Sequence, residues 1–210
     1  MAFFIRGDAP FVTSEFDRQE HYVSRLFGLA AQFLSKYECE YTAHPDQFIY
    51  MAGAIRRPLE ILERLKLDIS QITFIDLGCG CDPPIDVPEN KDSLYPHKPY
   101  FARVMHHFGA KVIGIDKGPL NQEPFIGYSL DLMQPNSLNF IPSGKIDVVY
   151  SSMLECSPSL DRDYGPERGK NLSEILFPQI IRVLKPTGYC ISDFSFKSLE
   201  NLPELRVQVS

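Results

Sequence analysis

Two short apolar segments of the chain each end in residues that are suited to hold a polar ligand. Residues 72–82 (Ile-Thr-Phe-Ile-Asp-Leu-Gly-Cys-Gly-Cys-Asp) run into a turn that carries Gly78 and Gly80. Residues 111–116 (Lys-Val-Ile-Gly-Ile-Asp) end in the carboxylate of Asp116. Glycines let the backbone approach a ligand closely, and a carboxylate accepts hydrogen bonds from the two hydroxyls of a ribose. Together these segments predict a nucleoside site at the ends of two strands.

Strands and helices alternate around these two segments. Alternation of this kind predicts an α/β fold, a three-layer doubly wound and mostly parallel sheet of the Rossmann type. The apolar pattern predicts strands at 73–77, 111–116, 125–130, 146–150 and 189–194, and helices at 99–108 and 172–184, with a turn at 185–188.

The region before the first strand is predicted to be helical. Apolar residues recur at helical spacing over 14–38 and 46–66, and Pro58 is expected to kink or split the second stretch. We therefore expect residues 1–70 to form an N-terminal cover of the sheet or a lid over the site. Residues 71–210 are expected to form the Rossmann-like domain, in one compact unit with the cover.

Composition narrows the class of protein. The 210 residues include 44% hydrophobic and 23% charged residues, as in ordinary globular domains, and the net charge is −6. This acidity disfavours nucleic acid as a partner, because phosphate binding needs a basic surface. No signal peptide is expected from the first residues and no apolar run reaches roughly 18 residues, so no membrane association is expected. Five cysteines leave one unpaired in any disulfide scheme, which favours a reducing cytoplasm.

Five segments, in order, resemble the motifs of class I S-adenosylmethionine-dependent methyltransferases. The resemblance covers roughly residues 46–194 and implies the Rossmann-like fold, methyl transfer and S-adenosyl-L-methionine as cofactor. The segments are Asp76-Leu-Gly-Cys-Gly80, Ile115-Asp116, Ser129-Leu-Asp-Leu132, Ile146-Asp-Val-Val-Tyr-Ser-Ser152 and Arg182-Val-Leu-Lys-Pro-Thr-Gly188.

The resemblance also implies a role for each position. Asp76 would pair with the cofactor's ammonium group, Asp116 with the ribose, and Asp131 with the adenine amino group, while Leu132 would pack on the ring. The other cofactor-binding residues expected from it are Gly78, Cys79, Gly80, Lys117 and Ser151. Structural alternatives stand beside these roles: Gly-x-Gly is also an ordinary turn, Asp116 and Ser151 could cap the next segment, and Asp131 could simply be solvated.

The chain departs from the family pattern at two places. Cys81 replaces the usual third glycine, and Pro83 and Pro84 delay the next helix, so an insertion, Ile85–His97, follows the turn. The insertion is interpreted either as a substrate-recognition loop or as a surface excursion. Only 16 residues follow Phe194, so the C-terminal strand pair is expected to be reduced or missing, with Arg206–Val209 able to supply one edge strand.

The catalytic machinery is less defined by the sequence. Methyl transfer needs a base only if the acceptor arrives protonated, and the weak candidates are His97, Tyr150 and Glu155. A small-molecule acceptor is the first expectation and a protein side chain the second. No metal is expected, because the spacing of Cys79 and Cys81 matches no common zinc pair.

Two other functions compete with the enzyme. A non-catalytic S-adenosylmethionine-binding module would use the same cofactor site. An NAD(P)-dependent oxidoreductase would need glycine at the sixth position of the turn, where this chain has Pro83.

Overall fold

The structure is a computed structural model. It describes residues 2–5, 25–37, 55–56, 58–63, 65–81, 98–152, 154, 160, 163–165, 172–192 and 206–209. The predictions for residues 14–24, 46–54 and 193–194, the insertion Ile85–His97 and Glu155 lie outside these residues.

A single sheet of seven strands organises the described residues. Its order is β4-β3-β2-β5-β6-β1-β7. The strands are β1 (Ala2–Ile5), β2 (Thr73–Leu77), β3 (Lys111–Asp116), β4 (Ile126–Ser129), β5 (Ile146–Ser151), β6 (Leu184–Ser192) and β7 (Arg206–Val209). Strands β2 to β6 run parallel to one another, and β1 and β7 add an antiparallel edge. The predicted α/β doubly wound fold is confirmed.

Helices cover both faces of this sheet. They are α1 (Arg25–Tyr37), α2 (Tyr100–His107) and α3 (Leu172–Val183), and residues 58–63 are also helical. On β2, Phe74 packs in the cluster formed with α1, residues 58–63 and α2, whereas Ile75 packs against α3. The two faces follow from the period of two along a strand. No described helix has the length and apolar character needed to cross a membrane.

Local residues explain where α2 and α3 begin and end. Pro99 is the N-cap residue of α2, so the helix begins one residue later than predicted, and Gly109 follows its end with a φ of 91°. That left-handed conformation is the usual way to end a helix and favours glycine. Pro178 lies inside α3, which runs without a break from Leu172 to Val183, whereas a proline within a helical pattern is expected to break the helix locally.

The antiparallel edge is built from both termini. β1 pairs with β6 on one side and with β7 on the other. The C-terminal strand pair, expected to be reduced or missing, is present as an antiparallel pair. Only one of its two strands, β7, is C-terminal, because the other is formed by residues 2–5. These residues therefore lie in the sheet and not in the helical cover proposed for 1–70. The proposed boundary at residues 70 and 71 otherwise stays a prediction.

The segment 185–188, predicted as a turn, is part of β6. Ile146 pairs with Leu184 and Val148 with Tyr189, so two steps on β5 face five on β6. The extra residues form an irregularity in the pairing. Lys185 Nζ in this irregularity forms an ion pair with Asp147 Oδ1 of β5 at 2.7 Å. The strand predicted from Tyr189 consequently starts five residues earlier.

Candidate functional site

The candidate site lies where the chain reverses the order in which strands are added to the sheet. From β2 the chain adds β3 and β4 on one side, and then crosses to β5 and β6 on the other. In open α/β sheets, ligands bind outside the carboxyl ends of the strands at such a switch point. Leu77 of β2 pairs with Ile115 of β3 and with Ser151 of β5. The segments predicted to bind the cofactor therefore meet at one edge of the sheet.

The glycine turn and Asp116 are in direct contact. The backbone N–H of Gly80 donates to Asp116 Oδ2 at 2.8 Å, and the N–H of Gly118 donates to Asp116 Oδ1 at 3.0 Å. Gly78 N–H donates to the carbonyl of Ile115 at 2.8 Å and has a φ of 69°, while Gly80 has a φ of 86°. Left-handed backbone at both positions makes glycine the suitable residue. The predicted proximity of turn and carboxylate is thus present, at hydrogen-bond distance.

A side chain of the protein itself fills the space in front of Gly78. A Cβ atom placed on Gly78 would lie 2.5 Å from Cδ1 of Leu154. Leu154 follows the end of β5, on the other side of the switch point. The bare backbone at Gly78 therefore accommodates Leu154 and not an open cleft.

Asp76 is buried beneath the first turn of α2. Burial raises the pKa of this carboxyl well above its usual range, Asp116 raises it further, and a hydrogen bond with the backbone of Ala102 opposes both. Ala102 is the third residue of α2, so its N–H has no partner within the helix. Asp76 thus stabilises the start of α2, a task that the sequence analysis did not assign to it.

The turn lies in a negative electrostatic field. Burial raises the pKa of the Cys79 thiol well above its usual range, and the carboxyls of Asp76, Asp116 and Glu123 raise it further. Cys79, Cys81 and Cys190 are all buried. Among the described residues there is no group of three or more His, Cys, Asp or Glu side chains that would hold a metal ion.

Asp131 belongs to a cluster of four polar side chains at the end of β4. Its Oδ1 accepts from the backbone N–H of Met133 at 3.0 Å, and its Oδ2 accepts from the hydroxyl of Tyr164. The ammonium of Lys117 lies 3.5 Å from Asp131 Oδ2 and 2.6 Å from Asp163 Oδ2. We call Lys117, Asp131, Asp163 and Tyr164 the Lys117 cluster.

Contacts within the Lys117 cluster shift the pKa values of three of its members. Burial alone would raise the pKa of Asp131, but the hydrogen bond from Tyr164, the N–H of Met133 and the ammonium of Lys117 together lower it. The hydrogen bond to Asp163 raises the pKa of Lys117, and the bond to Asp131 raises the pKa of Tyr164. Near neutral pH the cluster therefore holds ionised Asp131, charged Lys117 and a protonated phenol.

The remaining predicted cofactor residues are buried. Leu132 packs in the cluster beneath α3. Ser151, at the end of β5, is fully buried, and its hydroxyl has no hydrogen-bond partner in the described part of the chain. A buried hydroxyl without a partner is uncommon. It marks a place where a ligand or a water molecule would supply the missing hydrogen bond.

Of the three candidate bases, the structure describes Tyr150 alone. Tyr150 is buried, and its ring packs against Phe101 and Phe74 with centroid distances of 4.4 and 6.3 Å. An aromatic cluster of this kind is a core feature. His97 and Glu155 lie outside the described residues. Their catalytic roles stay predictions.

The sequence analysis missed four contacts that shape the site. Tyr164 and Asp163 lie between β5 and α3 and contact Asp131 and Lys117, two residues predicted for the nucleoside. Arg103 and Glu123 form an ion pair with both guanidinium–carboxylate distances at 2.7 Å, joining α2 to the loop after β3. Neither these pairs nor Leu154 over Gly78 had a signal in the local sequence.

Comparison with known proteins gives distant structural similarities. No protein-family model and no curated protein matches the chain. The trans-methyltransferase CalH, solved in complex with SAH, matches at 15% identity and a TM-score of 0.33, over 71% of this chain and 40% of CalH. The Burkholderia thailandensis 1,6-didemethyltoxoflavin-N1-methyltransferase, solved with 1,6-didemethyltoxoflavin and S-adenosylhomocysteine, matches at 14% and 0.34, over 90% of this chain and 67% of that enzyme. The chain thus spans less than half the length of CalH.

The strand order itself identifies the fold. Five parallel strands around one switch point, with an antiparallel edge beside them, form the doubly wound Rossmann-like fold that the sequence predicts. A shared fold does not determine activity, which must be argued from the site.

Proposed function

We propose that this protein binds S-adenosyl-L-methionine and transfers its methyl group to a small molecule. The observation that carries the proposal is the position of Asp116, whose two oxygens are each held by a backbone N–H of a neighbouring turn. A carboxylate has about four lone-pair sites, so each oxygen of Asp116 retains one. Two such acceptors on a rigid support suit the pair of hydroxyls of a ribose.

The electrostatic field favours a cation over a pyrophosphate. The carboxylate of Asp116 lies directly against the turn, with its Oδ2 2.8 Å from the backbone nitrogen of Gly80. S-Adenosylmethionine carries an ammonium and a sulfonium group, whereas a dinucleotide places a doubly negative pyrophosphate at this turn. In the Rossmann dinucleotide site, the pyrophosphate also needs a free helix N-terminus. Here the first turn of α2 is already bonded to Asp76.

The described residues fit the cofactor, except that the space in front of Gly78 is filled by a side chain of the protein. Asp116 would hold the ribose and balance part of the positive charge, and Asp131 would hold the adenine amino group. The side chain of Leu154 lies in front of Gly78. The backbone would therefore face the amino-acid end of the cofactor at Gly80.

The protein's own share of the chemistry is binding, orientation and exclusion of water. When bound, S-adenosylmethionine supplies a methyl carbon already activated by a positively charged sulfur. The chain would hold the acceptor atom near attack distance and keep water away. A base is required only for an acceptor that arrives protonated. The net charge of −6 supports a small-molecule acceptor over nucleic acid.

A thermal-shift experiment tests cofactor binding. S-Adenosylhomocysteine at 100 times its Kd should add about 2.7 kcal/mol to the free energy of unfolding. NAD should add nothing. Asp116→Ala should weaken the affinity for S-adenosylhomocysteine by about 100-fold, since two hydrogen bonds to a charged group are lost. Asp116→Asn, which keeps the side-chain volume and one acceptor, should give an intermediate loss.

Asp68→Asn is the matched control. Asp68 is an exposed carboxylate that accepts from the N–H of Ser70 at the start of a 3-10 turn, and it precedes β2, whose opposite end carries the site. It should leave the affinity unchanged. Stabilisation by NAD and not by S-adenosylhomocysteine would overturn the proposal. Cofactor binding without methyl transfer across a broad panel of small acceptors would favour the non-catalytic module instead.

A further inference from the structure

The hydroxyl of Tyr164 is hydrogen-bonded to the carboxylate that the nucleobase would need as its acceptor. It donates to Oδ2 of Asp131, the carboxylate to which the adenine amino group is assigned. The other oxygen, Oδ1, is bonded to the N–H of Met133 two residues further on. Oδ1 is thus bonded within the local turn. Oδ2 accepts from the Tyr164 hydroxyl and faces the ammonium of Lys117 at 3.5 Å, so both of its lone-pair sites are engaged. An incoming amino group and the Tyr164 hydroxyl therefore compete for one acceptor.

We propose that Tyr164 sets the affinity and base selectivity of the nucleoside site by competing with the adenine amino group for Oδ2 of Asp131. This inference rests on the proposed function. Binding exchanges one donor for another: the phenol leaves the carboxylate as the amino group arrives, and no covalent bond changes. A base with a carbonyl oxygen at the same position cannot make the exchange, because it brings an acceptor to an acceptor.

Asp131 does not depend on Tyr164 for its orientation. The N–H of Met133 holds Oδ1 at 3.0 Å, and the ammonium of Lys117 lies 3.5 Å from Oδ2. Lys117 is itself held by Asp163 at 2.6 Å and lies 5.3 Å from the centroid of the Tyr164 ring. Removing only the phenolic oxygen would therefore leave the carboxylate in place and the ring contact with Lys117 intact.

The decisive experiment is Tyr164→Phe with two ligands, measured by titration calorimetry. We expect S-adenosylhomocysteine to bind about five- to tenfold more tightly to the variant, since its amino group no longer displaces a hydrogen bond to a charged group. S-Inosylhomocysteine, which has a carbonyl oxygen in place of the amino group, should show no such gain. A merely structural role of Tyr164 would change both affinities alike.

Two further variants keep the test informative. Tyr128→Phe removes the hydroxyl of a tyrosine on β4 whose ring packs against Phe140, and should leave both affinities unchanged. In an Asp131→Ala background, Tyr164→Phe should have no effect, because the contested acceptor is gone. An unchanged or weaker affinity of Tyr164→Phe for S-adenosylhomocysteine, or an equal gain for both ligands, overturns the inference but leaves the proposed function standing. Failure of the unmodified protein to bind S-adenosylhomocysteine overturns both.

Discussion

At the scale of single residues, two nearby carboxyls at the same edge of the sheet have different tasks. Asp116 is half-buried, lies against the glycine turn and binds two backbone N–H groups with its two oxygens. Asp76 is buried beneath α2, and burial together with the charge of Asp116 raises its pKa. The same residue type is thus the proposed ligand acceptor in one position and a helix-stabilising, readily protonated group in the other.

The raised pKa of Asp76 predicts a specific dependence of stability on pH. The folded state holds this proton more tightly than the unfolded chain, so the free energy of unfolding falls as pH rises above the ordinary carboxyl pKa of 3.8 towards the higher folded pKa. The loss is up to about 1.4 kcal/mol per pH unit within that window. Asp76→Asn, which keeps an oxygen acceptor for Ala102, should lack this loss.

Urea unfolding of both proteins between pH 4 and pH 8 checks this prediction. The stability of Asp76→Asn relative to the unmodified protein should grow with pH. Asp131 has a lowered pKa, so its contribution to stability is lost as pH falls, but it is common to both proteins and cancels in the comparison. A difference between the two proteins that is constant with pH would contradict the role assigned to Asp76.

At the scale of elements, the loop after β3 is held against α2 by one buried ion pair. Arg103 contacts both oxygens of Glu123 at 2.7 Å, and the Glu123 side chain is only 3% exposed. The loop carries Phe125, whose ring lies where a Cβ on Gly114 would be, 2.4 Å away. The pair and this close packing together position the loop that follows Asp116.

Arg103→Met should destabilise the protein by about 3 kcal/mol, because it leaves a buried carboxylate without its cation. Arg103→Met combined with Glu123→Met should recover most of this loss, since replacing a whole buried pair with apolar side chains is often close to neutral. Urea unfolding at pH 7 measures both free energies.

The exposed pair Arg56–Glu60 is the control for this prediction. Its distance is also 2.7 Å, but the Arg56 side chain is 53% exposed. Arg56→Met should therefore change the free energy of unfolding by less than about 0.5 kcal/mol. If the double variant at 103 and 123 is as unstable as Arg103→Met alone, the charge of Glu123 is not the cause.

At the scale of the whole molecule, both chain termini complete the sheet. β1 is hydrogen-bonded to β6 and β7, so the N-terminal residues hold the C-terminal strand in place. Deleting residues 1–5 removes two ladders, and deleting residues 206–210 removes one. We expect the N-terminal deletion to lower the free energy of unfolding more, by roughly 1 kcal/mol for each additional ladder hydrogen bond.

Denaturation midpoints of the two deletion variants test this order. Each variant should keep the parallel part of the sheet, because β2 to β6 pair with one another independently of the edge. Equal losses, or a larger loss for the C-terminal deletion, would contradict the central position of β1.

Local patterns in the sequence determined the parallel strands and the core of the site. The predicted bounds of β2 and β3 coincide with those observed, because each is a short apolar run between turn residues. The pairing of Gly80 with Asp116 was also predictable, since the ends of adjacent parallel strands meet at one edge. The periodicities of α1, α2 and α3 placed these helices to within a few residues where the structure describes them.

Only the tertiary structure decided which distant side chains complete the site. Tyr164 reaches Asp131 across 33 positions, and Arg103 reaches Glu123 across 20. It also decided that residues 2–5 join the sheet instead of the helical cover, and that Asp76 serves α2. The physical reason is that period and turn chemistry describe neighbours along the chain, whereas these contacts depend on how strands and loops are ordered in space.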